Sequence, residues 1–142
     1  MTTLHSVSVA GAVVRADGRL LAIKRADNGT WELPGGVLDL AETPQDGARR
    51  EVFEETGIHV DVHELTGVYK NVSRGVVALV FRCQPTGGVE RTSDESAAVD
   101  WLTPAEVAER MNEVYAVRLL DALDQTGPHV RSHDGEHLVQ VR

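Results

Sequence analysis

The chain has 142 residues, of which 42% are apolar and 25% charged, and it carries a net charge of −8 at pH 7. That length suits one domain with a sizeable core, and the composition is that of an ordinary soluble globular protein. The acidic balance excludes a bare nucleic-acid scaffold, which needs a basic footprint, but a nucleotide substrate stays open because metal ions supply positive charge locally.

Only 4% of the residues are aromatic, so the core is expected to be built from Val, Leu, Ala and Ile. Cys83 is the only cysteine. No intrachain disulfide or Cys-rich zinc site can form, in keeping with a reducing cytoplasm. The opening stretch MTTLHSVSVAGAVVRADGR lacks the basic start and continuous apolar run of a leader peptide, and no apolar run reaches the ~18 residues of a membrane span. The expectation is a cytoplasmic protein without repeats or low-complexity linkers.

In chain order, the Val-rich, partly alternating stretch 4–15 predicts a strand. Asp17-Gly18 predicts a hairpin turn into a returning strand over 19–25. After a loop at 26–30, WELPGG (31–36) reads as a short extended piece ending in two glycines. Residues 43–57 carry full helix punctuation: Thr43 fits an N-cap, Pro44 the first helical position, Asp46 a weak capping box and Gly57 the C′ stop. Gly47 inside that helix costs about 1 kcal/mol against alanine, which predicts close packing there.

Residues 58–69 alternate as a strand, and 76–84 form the most apolar strand, followed by a turn at Gly87-Gly88. A short strand is predicted over 97–103 and helices over 103–111 and 115–127. The tail is predicted to be a hairpin around Asp134-Gly135. Strands and helices mix without regular βαβ repetition, so the class is α+β or an α/β sandwich.

The helix at 43–57 raises a chemical question. Glu51, Glu54 and Glu55 fall within an arc of roughly 100° of its surface. Such like-charge pairs cost about 0.2–0.5 kcal/mol each, and the macrodipole near a helix C-terminus disfavours negative charge. The bland reading is a solvated charged face. A hard divalent cation, Mg²⁺ or Mn²⁺, would resolve the repulsion, because both prefer oxygen ligands.

The surroundings decide between these readings. Residues 36–58, GVLDLAETPQDGARREVFEETGI, run from Gly36 through five residues to Glu42, then seven more to Arg50-Glu51-Val52-x-Glu54-Glu55-x-Gly57-Ile58. This resembles the signature of the Nudix hydrolases, the family that includes MutT, at every defining position. The resemblance spans roughly residues 6–125; the tail from Gly127 matches no part of the family. It implies an α/β/α sandwich around a mixed β-sheet. The domain is expected over 1–126, with the hairpin-like tail 127–142 read from its own turn residues as part of the same domain. The resemblance also implies metal-assisted attack of water on a diphosphate bond in a nucleoside diphosphate-linked substrate.

Carried over residue by residue, the resemblance makes Glu54 and Glu55 metal ligands and Glu51 a ligand or the base that activates water. Arg50 orients Glu51 or its neighbours, and the Gly35 carbonyl completes the coordination. Gly36 lets the backbone turn tightly at the site, and Glu42 is structural. Val52 and Ile58 are core positions.

Glu95, six residues before Trp101, is a further ligand or base, or else an exposed loop acid, with Asp94 as the fallback. Lys24 and Arg25 either meet substrate phosphates or form a surface pair. Trp31 and Tyr69 are candidates to stack on a base, with packing the plainer reading. Cys83 reads as a buried thiol. His129, His133 and His137 read as parts of a hairpin that docks on the domain or on a dimer partner rather than as a zinc site.

The proline about sixteen residues past the signature that marks many ADP-ribose hydrolases is absent, with Arg74 and its neighbours there instead. Residual preference goes to a nucleoside triphosphate, MutT-like. The expected partner is a small nucleotide derivative, with no nucleic acid or membrane; a homodimer is left open. The alternative function is a regulatory module of the same fold that binds a nucleotide without cleaving it. The intact Arg50-Glu51-x-x-Glu54-Glu55 set favours the enzyme.

Overall fold

The computed structural model describes residues 3–141; Met1, Thr2 and Arg142, the outermost residues of the two segments predicted above, lie outside them. In a six-stranded mixed sheet, β1 (Ser6–Val13) runs parallel to β6 (Val76–Gly88) and antiparallel to the short edge strand β4 (Gly35–Val37). Next to β6 lies the antiparallel β5 (Ile58–Asn71), then β8 (His129–His133), parallel to β5, and finally β9 (Leu138–Val139). The predicted tail hairpin exists, and it extends this sheet.

A three-stranded sheet places β2 (Leu20–Arg25) between β3 (Trp31–Glu32) and β7 (Ser96–Leu102). The turn at Asp17-Gly18 forms, with the Gly18 N–H donating to the Arg15 carbonyl at 2.9 Å. The strand that returns from it nevertheless leaves β1 after a single bridge, Val14 to Leu20, because its pairing is taken up by β3 and β7.

Helices cover both faces. α1 (Pro44–Thr56) packs Ala48 and Val52 on Val9, Val13, Leu21, Phe81 and Cys83. α2 (Pro104–Arg110) and α3 (Glu113–Asp121) pack Val107, Ala116 and Leu119 on Ala10, Ala12, Ala22, Ala78 and Val80. Alternate residues of β1 and β6 thus enter opposite cores, which is why both strands read as nearly continuous apolar runs. The architecture is the expected α/β/α sandwich.

Two glycines let α1 come close. A β-carbon on Gly11 would sit 2.6 Å from Val52 Cγ2, and one on Gly47 would sit 2.7 Å from Leu38 Cδ1. Burial of Val52 at that contact stabilises the sandwich by about 1.5–3 kcal/mol. Among the described residues no helix is long and apolar enough to cross a membrane.

Two boundaries and one cap differ from expectation. Gly87-Gly88 is not a turn: β6 continues through it, and Gly88 pairs with Ile58 across a bulged ladder. Periodicity is lost there because the register shifts between His59 and Val60. α3 stops at Asp121 rather than running to residue 127. The Asp124 carboxylate accepts from the Thr126 N–H at 2.9 Å and the Thr126 hydroxyl at 2.7 Å, a local turn that competes with helix. Asp46 does not close a capping box; its carboxylate takes Arg49 instead, at 2.7 Å.

Candidate active site

The ends of α1 are fixed as its sequence dictates. Thr43 Oγ1 accepts from the Asp46 N–H at 3.2 Å, and Gly57, at φ 78°, closes the other end with its N–H on the Phe53 carbonyl. The helix turns the three glutamates to different fates. Glu51 and Glu55 are buried, whereas Glu54 is exposed.

Arg50 holds the group together. Its Nε and Nη2 grip the Glu42 carboxylate at 3.0 and 2.5 Å, and its Nη1 donates to Glu51 Oε1 at 2.8 Å and Glu54 Oε2 at 3.3 Å. Fork-like, charge-assisted bonds of this kind fix position as well as charge. The Arg50 bonds, aided by the Asp39 N–H, hold the Glu42 carboxyl well below its usual range, at about 2. Glu42 therefore anchors the loop before α1 to the arginine that sets the other two acids.

β4 passes directly over the carboxylates. The Gly35 N–H donates to Glu55 Oε1 at 3.0 Å. A β-carbon on Gly36 would lie 2.6 Å from Glu51 Oε2, so the missing side chain is the space that the Glu51 carboxylate fills. Burial pushes the Glu55 carboxyl up to about 8; the Gly35 N–H opposes that shift, and the Glu51 and Glu95 carboxylates add to it. Glu51 has the Arg50 guanidinium as its partner, whereas Glu55 has no cationic partner among the described residues.

Glu95 is exposed on the segment leading into β7, close enough for its charge to act on Glu55. The same segment is tied to α1, because Ser96 Oγ donates to the Glu55 carbonyl at 2.7 Å. Among the described residues no three His, Cys, Asp or Glu side chains are gathered closely enough to hold a metal ion as they stand. The oxygen donors available to a cation are those of Glu51, Glu54 and Glu55, at present turned to Arg50 and Gly35.

A cleft of about 400 Å³ meets this site at β4, and none of Glu51, Glu54, Glu55 and Glu95 lines it. Gly35 and Gly36 form part of one wall, and Arg25, Arg74, Tyr115 and Arg118 also line it. Lys24 is exposed and does not line the cleft. Arg25 does, although it already carries Asp27 through two bonds of 2.9 and 2.7 Å.

Tyr69 is fully buried with its hydroxyl on Asp121 at 2.8 Å, which removes it as a stacking surface. Trp31 packs against the α2/α3 core. Cys83 is a buried thiol, pushed up to about 12 by that burial. Sequence reasoning missed Arg118, Tyr115, Glu32 and the cleft position of His133. The available signal was a lone arginine, Arg118, at a core-facing position of an amphipathic helix.

Residues 4–123 match the NUDIX domain, which takes in every element from β1 through α3, and the chain belongs to that family. It is 79% identical over 136 residues to a MutT-like protein of Streptomyces ambofaciens, covering 96% of this chain and 88% of that protein. It is also 31% identical over 105 residues to an ADP-ribose pyrophosphatase of Methanocaldococcus jannaschii, covering 69% of this chain and 62% of that one. The fold superposes on a NUDIX hydrolase from Nitrosomonas europaea with a TM-score of 0.79, covering 94% of this chain and 82% of that chain at 23% identity. The protein is a Nudix hydrolase, of a family acting on nucleoside diphosphate-linked substrates.

Proposed function

We propose that this hydrolase cleaves a diphosphate bond with Mg²⁺ or Mn²⁺ bound by Glu54 and Glu55, with Glu51 as a further ligand or the base. The observation that carries this reading is the Gly36–Glu51 contact beside a buried Glu55 whose carboxyl is raised. A fold that only needed stability would not crowd acids there. When bound, a divalent cation lowers the pKa of a water and neutralises charge on the leaving phosphate.

The chain's own residues do the rest. Arg50 orients Glu51 and Glu54, and Glu42 holds Arg50 in place. Gly36 leaves its side-chain space to the Glu51 carboxylate, and Gly35 lets β4 lie close on β1, so that the backbone can turn tightly at the site. Arg25 lines the cleft paired with Asp27 and 3.4 Å from Glu32, so a second phosphate reaches it only in competition with those carboxylates; Lys24, on the same strand end, reaches only phosphate outside the cleft. Glu95 is a further acid for the cation or the attacking water.

The substrate we favour is a nucleoside triphosphate, supported by the similarity to the MutT-like protein; ADP-ribose is the competitor that the methanogen relative supplies. A panel of nucleoside triphosphates and nucleoside diphosphate sugars, assayed with Mg²⁺, Mn²⁺ and EDTA, tests the reading. Turnover of at least one substrate is expected with metal and none in EDTA, and Glu54→Gln and Glu55→Gln should each cripple it. Full activity in EDTA, or no turnover of any substrate with either metal, would sink it.

A further inference from the structure

Arg118 is 9% exposed, yet it lines the cleft. Burying a guanidinium is costly unless it is paired, and arginine at such places normally finds a carboxylate. Here its only hydrogen-bond partner among the described residues is a histidine: Nη2 stands 3.0 Å from His133 Nε2, and Nε has no partner. The rings of Tyr69 and Tyr115 each lie 5.2 Å from the guanidinium carbon and hold it in place.

The histidine has the same shortage. His133 is 1% exposed, and its Nδ1 accepts from the Gly135 N–H at 3.1 Å. A neutral imidazole has one N–H and one acceptor nitrogen. Both neighbours of this ring are donors, so whichever nitrogen carries the proton faces another donor. The cluster is one acceptor short, and it opens on the cleft.

An acceptor oxygen on the substrate would complete it. The same cleft also contains Glu32, whose carboxylate stands 3.4 Å from Arg25 Nε and feels the charges of both Arg25 and Arg118. A donor-rich arginine and an acceptor carboxylate together match a group that has a carbonyl oxygen next to a ring N–H. A phosphate would satisfy Arg118 but would meet Glu32 unfavourably. The keto edge of a nucleobase such as guanine has both features.

We propose that Arg118, braced by His133, is a specificity-determining residue that donates to the keto oxygen of the substrate's nucleobase, with Glu32 accepting from the adjoining ring N–H. The assignment rests on the nucleotide-hydrolase reading above, but it is tested without hydrolysis. Calorimetry in EDTA on the full chain would compare GMP, AMP and inorganic phosphate, for wild type, Arg118→Met and Arg118→Lys.

Wild type should bind GMP at least about tenfold more tightly than AMP, a discrimination within reach of one good base contact. Arg118→Met should bind the two within about twofold, with Arg118→Lys between. Equal GMP and AMP affinities in wild type would overturn the proposal. So would an unchanged preference in Arg118→Met, or a phosphate affinity equal to that for GMP and lost in that variant. If Arg118→Met does not fold, Glu32→Gln decides instead: loss of the GMP preference supports the proposal and its retention overturns it. Absent turnover with intact GMP selectivity would sink the hydrolytic reading alone; turnover with no such selectivity would sink this one alone.

Discussion

Arg131 grips Asp121 through two parallel hydrogen bonds, Nε to Oδ2 and Nη2 to Oδ1, both 2.8 Å long. The Tyr69 hydroxyl donates to the same Oδ2. One buried carboxylate thereby joins the tail strand β8, the end of α3 and the C-terminal end of β5. Arg131→Met should destabilise the fold by about 1–2 kcal/mol, the range for a charge-assisted bond reduced because the arginine is more than a third exposed. Urea unfolding would show a lower midpoint at unchanged slope. A wild-type midpoint would mean that the tail is held by its backbone ladder alone.

Gly36→Ala separates the site from the scaffold. The added methyl would fall 2.6 Å from a Glu51 oxygen, the far end of a side chain that can swing away. Stability should change by less than about 1 kcal/mol, the scale of an ordinary surface or loop change. Activity should fall by about 10²-fold, because misplacement of a reacting group by an ångström is enough for that. Measuring kcat and melting temperature together checks both halves; an active, stable Gly36→Ala enzyme would show that Glu51 does not need this position.

The raised Glu55 carboxyl fixes the sign of a pH effect in EDTA. Unfolded, the group has its ordinary pKa of 4.5; folded, it sits at about 8. Its contribution to stability is full below pH 4.5 and is lost as pH rises towards 8, because the folded state resists ionising it while the unfolded state does not. Wild type should therefore lose melting temperature across that window more steeply than Glu55→Gln. Added Mg²⁺ should shrink the difference, since a cation binds the ionised form. Identical slopes for the two proteins in EDTA would rule out a raised Glu55.

Glu95 stands outside the helix, exposed, with its charge felt at Glu55. If it serves the attacking water or the cation, Glu95→Gln should lower kcat by about 10²–10⁴ with KM little changed. Its stability should move by less than about 0.5 kcal/mol, as for other exposed substitutions. A variant with wild-type kcat at saturating Mg²⁺ would leave Glu51 as the base.

The sequence by itself determined what is written within a few residues. Thr43, Pro44 and Gly57 fixed α1, and the spacing of Glu51, Glu54 and Glu55 fixed a carboxylate cluster on it, because capping and helical periodicity act over one turn. The apolar runs over 4–15 and 76–84 marked two strands. Only the tertiary structure decided which acids are buried, because that depends on β4 crossing α1: Gly35 reaches Glu55 from 20 residues away. It likewise moved β2 into a second sheet and carried β6 through Gly87-Gly88, since strand partners are set by the whole ladder. Arg118 and His133 read as a helix position and a tail histidine until a parallel pairing of β8 with β5 brought them within 3.0 Å. Contacts of that kind join elements separated in the chain, and local patterns of charge and polarity contain no record of which distant groups the fold will leave short of a partner.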